Sequence, residues 1–173
     1  MIMNQHSEVN EISQDNYDEM IEDLDPALLT CPHCGHTGTT IHGYYERRVK
    51  YDCVLFKLLV QRVKCKFCGR THAILPDTLI PYSSVPKEDT IEIIAADSAE
   101  RIDEILTDNT CLDISDVYRI KKNYALHWKE RLKSFNLRID DCDISRICIR
   151  LFRRQFMQIR CLLCGSYGQN HTG

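Results

Sequence analysis

The 173-residue sequence predicts an α+β fold, a small antiparallel sheet followed by a helical domain, and three observations carry that expectation. Two matched CxxCG motifs, CPHCG from Cys31 to Gly35 and CKFCG from Cys65 to Gly69, enclose an interval rich in β-branched and aromatic residues. Pro76, Pro81 and Pro86 then interrupt the chain, where a proline removes a backbone donor and stops regular elements. Beyond them apolar residues return at intervals of three and four, the period of a helix with one buried face.

Hydrophobic residues make up 43% of the chain and charged residues 27%, which sets general disorder aside. Charge is nevertheless segregated. Residues 1–30 hold eight acids and no Lys or Arg, so residues 1–28 are expected to form an acidic, disordered tail. From Cys31 to His72 eight cations face only Glu46 and Asp52, and from Cys111 onward twelve cations face six acids. A net charge of -3 therefore does not exclude a polyanionic partner, because recognition depends on local patches.

Residues 29–76 are expected to form the sheet module. Strands are predicted over Thr39–Tyr45 and Val54–Val63, with a third over Arg70–Leu75. Each CxxC pair can grip a metal from one side, and the glycine that follows lets the backbone turn tightly against the sulfurs. Cys31, Cys34, Cys65 and Cys68 together complete a tetrahedral thiolate set with no open position, which predicts a structural zinc ion in a ribbon. His33, His36, His42 and His72 are then bystanders. The cations Arg47, Arg48, Lys50, Arg62, Lys64, Lys66 and Arg70 outnumber what the charge of a zinc tetrathiolate requires, so they are candidate phosphate contacts. Arg47, Arg48 and Lys50 are placed in the turn between the first two strands.

Residues 77–86 form a Pro-rich connector and residues 87–135 a helical domain. Ile91, Ile94 and Ala95 mark one short helix; Ile102, Ile105 and Leu106 mark another behind a Ser98 cap. A longer helix starts at Asp113, with Val117, Ile120, Tyr124, Trp128, Leu132 and Phe135 on its apolar stripe. Two short helices, a turn and a basic helix suit a helix-turn-helix, in which Ser115, Tyr118, Arg119 and Lys122 would meet double-stranded DNA.

CPHCG, IHGYYERRV, RVKCKFCGRTHAILP and ISDVYRIKKNYALHW, in that order, resemble the N-terminal zinc ribbon and helix-turn-helix of insertion-sequence transposases. They are still more similar to a bacterial family of uncharacterised proteins that keep both modules without a transposase catalytic domain. The resemblance spans about residues 29–132. It implies a zinc role for the four cysteines and a DNA-reading role for residues 117–124. One departure is the missing glycine in the turn between the two helices, where residues 108–112 make a longer turn.

Residues 136–173 are expected to form a helix capped by Asp143, then a tail. Cys161 and Cys164 make half of a second knuckle, which Cys142 and Cys148, His171 or another subunit could complete. No carboxylate triad on alternating strands, phosphate-cradling glycine loop or nucleophile elbow is present, so no catalytic activity is expected. No apolar run approaches a membrane span and the N-terminus lacks a secretion signal, which predicts a cytoplasmic protein. Double-stranded DNA is the expected partner, with a protein partner or a homodimer as the alternative.

Overall fold

The computed structural model of the protein describes residues 2–3, 11–138 and 143–158. It is α+β, with a four-stranded sheet in the order β1-β4-β3-β2, where β1 is Ile2–Met3, β2 Thr39–Tyr51, β3 Val54–Cys65 and β4 Thr71–Leu75. Three of these strands run antiparallel; the short β1 joins the edge of β4 in parallel.

The β2–β3 hairpin dominates the sheet. Its register runs from Thr39↔Cys65 to Tyr51↔Val54, with one irregularity between Ile41 and Gly43. At about 3.3 Å per residue the hairpin is about 35–40 Å long. Asp52 and Cys53 alone make the turn, with φ of 50° and 58°. Two successive left-handed residues match the right-handed twist of the flanking strands. Arg47, Arg48 and Lys50 consequently lie on β2 and not in a turn, which corrects the shorter strand read from the sequence.

Residues 11–28 are not a disordered tail. Ser13 caps a helix, α1 (Gln14–Glu22), by accepting from the backbone N–H of Asn16, and Pro26–Leu28 forms a single 3-10 turn. The helix lies along the stretch of β3 that β4 leaves unpaired. Gln14 bonds both backbone groups of Leu59, and the Tyr17 hydroxyl accepts from Gln61 N (2.8 Å) and donates to Ile74 O (3.1 Å). Tyr17 thus bridges β3 and β4 where they diverge, and burial pushes its phenol above the usual range. Ile12, Tyr17 and Met20 join Val49, Leu58, Val60, Val63, Ile74, Leu75 and Leu79 in the sheet's core.

The helical half comprises α2 (Lys87–Ala95), α3 (Ala99–Asp108), α4 (Ile114–Asn123), a π-helical turn (Tyr124–Trp128), α5 (Lys129–Ser134) and α6 (Ile144–Phe152). Ser98 caps α3 as expected. The helix expected from Asp113 onward is one continuous path through α4, the π turn and α5, and the extra residue of the π turn shifts the buried stripe so that Trp128 and Leu132 stay inside. Trp128 stacks on Phe152 (4.8 Å between ring centres) and donates from Nε1 to Phe156 O (3.1 Å). Phe135, expected on the buried stripe, is exposed. Asp143 occupies the N-cap position of α6 without a side-chain bond to the first turn.

Residues 77–86, the Pro-rich connector, pack on both halves. Leu79 belongs to the sheet's core, while Ile80 and Val85 belong to the helical core. Two adjacent residues therefore face opposite interiors, and the proline-rich segment is the wall the two halves share.

Candidate functional site: a four-cysteine cluster and a basic helix

The two knuckles have the same backbone. In the first, Gly35 N donates to Cys31 O (2.9 Å) and Cys31 N to His36 O (2.9 Å); in the second, Gly69 N donates to Cys65 O (3.1 Å) and Cys65 N to Arg70 O (2.9 Å). Gly35 and Gly69 sit at φ +74° and +69°, the left-handed region where a side chain is strained. The knuckles are joined by Lys66 N donating to Gly38 O (3.1 Å), and by the rings of His36 and Phe67, stacked 4.3 Å apart.

These turns bring together the sulfurs of Cys31, Cys34, Cys65 and Cys68, all within 4.8 Å of one another. Cys31 and Cys68 are 3.7 Å apart, as are Cys34 and Cys65. A tetrahedron with metal–sulfur bonds of about 2.3 Å has edges of about 3.8 Å, so the four thiols fit a metal ion. Their protonation points the same way. At Cys31 the cost of burial is outweighed by the N–H groups of Cys34 and His33, which pull the thiol down to about 5. At Cys34 the N–H of His36 favours ionisation, yet burial and the neighbouring sulfurs prevail and push it up to about 12. Four sulfurs this close do not all ionise until a cation offsets them.

His72, read from the sequence as a bystander, is buried with Nε2 3.2 Å from Cys31 Sγ. It is an outer partner of the cluster, and its position in β4, four residues past Cys68, was the signal available in the sequence. His33, His36 and His42 are not among the clustered ligand atoms. Cys142, Cys161, Cys164 and His171 lie outside the described residues. Cys148 is buried in the helical core, where burial pushes its thiol up to about 12.

The candidate DNA contacts separate into three groups. Ser115, Tyr118, Arg119 and Lys122 share one exposed face of α4, with Lys122 Nζ 5.4 Å from the centre of the Tyr118 ring. Lys64, Lys66 and Arg70 are exposed around the second knuckle, at the far end of the hairpin from α4. Arg48 and Arg62 lie apart, on opposite faces of the sheet.

Two expected contacts are structural instead. Arg47 is only 9% exposed, and its Nη2 donates to Ile80 O (2.5 Å) and Ser83 O (2.6 Å), which ties β2 to the shared wall. Lys50 reaches Asp113 (2.9 Å) and Asp116 (2.6 Å) at the start of α4. Those carboxylates already form a reciprocal cap: Asp113 accepts from Ser115 N and Asp116 N, while Asp116 accepts from Asp113 N. At Asp113 the Lys50 ammonium comes first among the causes that hold the carboxyl down at about 2, followed by the N–H of Asp116. Lys50 N also donates to Ser84 O (2.8 Å) and Cys53 Sγ to Asp108 O (3.2 Å), so the hairpin tip is docked on the helices.

Residues 31–115 match a family described as a domain of unknown function (DUF6431). The match begins at the first cysteine of the cluster and ends in the first turn of α4, so it takes in both knuckles, β2 to β4, α2 and α3. Comparison with curated proteins and with solved structures gives no match. No helix among the described residues is long and apolar enough to cross a membrane.

Proposed function

We propose that this is a zinc-containing, non-catalytic DNA-binding protein related to the N-terminal regions of insertion-sequence transposases, acting as a regulator or accessory of a mobile element. The observation that carries the reading is the arrangement of α4. A capped helix packed on α2 leaves Ser115, Tyr118, Arg119 and Lys122 open on one face, as a helix entering a major groove must. Arg119 and Lys122 supply the charge, and Ser115 and Tyr118 supply groups that reach base edges.

Zinc is the metal that four thiolates in a closed tetrahedron favour, and it acts on shape and stability rather than on a reaction. Its test is metal analysis of the purified protein, which should return one zinc per chain. Lys64, Lys66 and Arg70 sit at the metal end of a hairpin about as long as one turn of duplex, roughly 35 Å, and suit phosphates a turn away from the groove.

Fluorescence anisotropy with labelled duplexes tests the partner. Binding should weaken steeply as salt rises, and Arg119→Ala or Lys122→Ala should each reduce the salt slope by about one if the lost contact is to phosphate. Affinity that ignores salt, or none for any duplex, would remove this reading.

A protein-interaction adaptor is the second reading, and Phe67 favours it. An aromatic ring at the tip of the second knuckle, 65% exposed and stacked on His36, is the kind of anchor that protein interfaces bury. Phe67→Ser should abolish capture of a purified transposase or polymerase subunit under this reading and leave duplex binding intact.

A further inference from the structure

A cleft of about 640 Å³ lies where the start of α2 meets the end of α6, within the size range of small-ligand sites. Five of its lining residues are cations, Lys87, Arg146, Arg150, Arg153 and Arg154, against two acids, Asp77 and Glu88, which leaves an excess of three positive charges. Ile91 and Ile149, members of the helical core, also line it, so the charges stand against an apolar backing.

The two acids hold three of the five cations. Arg153, whose side chain is 12% exposed, donates to both the backbone carbonyl (2.7 Å) and the carboxylate of Asp77, and Lys87 reaches the same carboxylate at 2.7 Å. Arg146 pairs with Glu88 at 3.0 Å. These pairs fix the frame and leave two guanidiniums over. No ion pair among the described residues includes Arg150 or Arg154.

Helical spacing puts those two on one strip. Arg146, Arg150 and Arg154 follow one another at four-residue steps, about 6 Å of rise each, and Arg153 lies three residues past Arg150. Arg153, at the C-cap of α6, keeps helical angles (φ -46°, ψ -45°) and its N–H bonds Ile149 O at 2.8 Å, so the strip carries on to Arg154. Like charges stacked in this way repel. The strain registers at Arg153, where burial, then the charge of Arg154, draws the guanidinium below its ordinary value. The partial negative charge at the end of a helix, about half a unit, offsets only a fraction of the excess. An anion seated along the strip reverses the repulsion.

We propose that this cleft binds a small ligand through a diphosphate group, with Arg150 and Arg154 on its oxygens and Lys87, Arg146 and Arg153 as the surrounding field. Guanidiniums match phosphate oxygens in a planar, two-pronged contact. A single phosphate ester carries about -1.5 to -2 charges, short of the excess of three, and two linked phosphates come closer to it. A concavity of this size favours a compact anion over a nucleic-acid strand. None of these residues lies on α4, so the inference goes beyond the duplex reading and does not rest on it.

Calorimetric titration of the metal-loaded full chain with inorganic pyrophosphate, orthophosphate and sulfate tests it, with metal content measured before and after because pyrophosphate itself binds metals. Pyrophosphate should bind, with orthophosphate and sulfate at least about tenfold weaker. The double variant R150Q/R154Q should lose at least about tenfold in affinity, while Lys133→Gln, which removes a cation outside the cleft, should not. Glu88→Gln removes an acid from the wall and frees Arg146, so it should tighten pyrophosphate by about threefold, a gain that misfolding does not imitate. No binding of pyrophosphate overturns the proposal. So does affinity that is unmoved in a folded R150Q/R154Q protein, lowered as much by Lys133→Gln, or not raised by Glu88→Gln. Duplex binding lost in R150Q/R154Q by a chain that ignores pyrophosphate would assign the strip to nucleic acid and overturn it as well. Pyrophosphate binding by a protein indifferent to duplex would sink the duplex reading alone.

Discussion

The sheet half and the helical half close their interiors by different means. Among the described residues the helical core gathers seventeen buried apolar residues and the sheet core ten, and those ten cluster toward α1 and the shared wall. At the knuckle end the chain turns back on itself around sulfur, with exposed Lys64, Lys66, Phe67 and Arg70 outside. Among the described residues few apolar side chains beyond Val63 and Leu29 are packed there, so a metal held by the four sulfurs would supply the cohesion that side-chain burial supplies elsewhere. Stability should be local in this molecule, metal-dependent at one end and packing-dependent at the other.

Metal removal should break the comparison most visibly. After chelation, or in Cys34→Ser, amide exchange should lose protection at Gly35, Cys65 and Gly69, while Ile93 and Ile120 stay protected. Uniform loss across both halves would show that the two ends are one cooperative unit.

Trp128→Ala is the converse test. Removing the ring between Phe152 and Phe156 should cost about 3–5 kcal/mol by chemical denaturation. Metal affinity should stay unchanged, and a fall in it would mean that helical packing reaches the knuckles.

The joint between the halves comes next in size. Lys50→Met leaves the Asp116 carboxylate, nearly buried, with Arg119 as its remaining cation, and should cost about 2 kcal/mol. A double-mutant cycle with Asp116→Asn measures the coupling directly. Additive effects would show that the hairpin tip is docked by its backbone bonds and not by charge.

The smallest effect sharpens the helical side. Burial, then the charge of Glu92, raises Asp89 to about 6, with Asn109 opposing by a hydrogen bond. A raised carboxyl binds its proton more tightly in the folded state, so stability should fall as pH rises from about 4 through 6 and stay reduced above it. Asp89→Asn should recover about 1 kcal/mol at pH 7.5, discounted for partial exposure, and nothing near pH 4. Thermal melts across that range provide the measurement.

The cysteine cluster was legible because its chemistry is written in fixed spacings: two CxxCG motifs need no tertiary information to be paired. Ser98 was legible as a cap, and Asp113 as a helix start, for the same reason, each acting on the turn that follows it. What failed to show was non-local. The hairpin turn uses Asp52 and Cys53 in place of the Asn-Gly or Asp-Gly that announces such turns, so β2 read six residues short and its cations were misplaced. Arg47 and Lys50 looked like surface cations, since nothing near them in the chain announces Ile80, Ser83, Asp113 or Asp116. Helix α1 was hidden by its acids; Ile12, Tyr17 and Met20 gave an apolar stripe too sparse to weigh against them. The π turn left no signal, as one inserted residue preserves the apolar spacing on either side.

Helix α1 has one more consequence, for the chain's behaviour in company. By occupying the backbone of Leu59 and Gln61 through Gln14 and Tyr17, it covers a strand edge that would otherwise present unpaired N–H and C=O groups. Such an edge is a template for another copy's strand. Shortening the protein to residue 29 would therefore turn an internal bond pattern into an adhesive rim, and strand exchange or aggregation should follow.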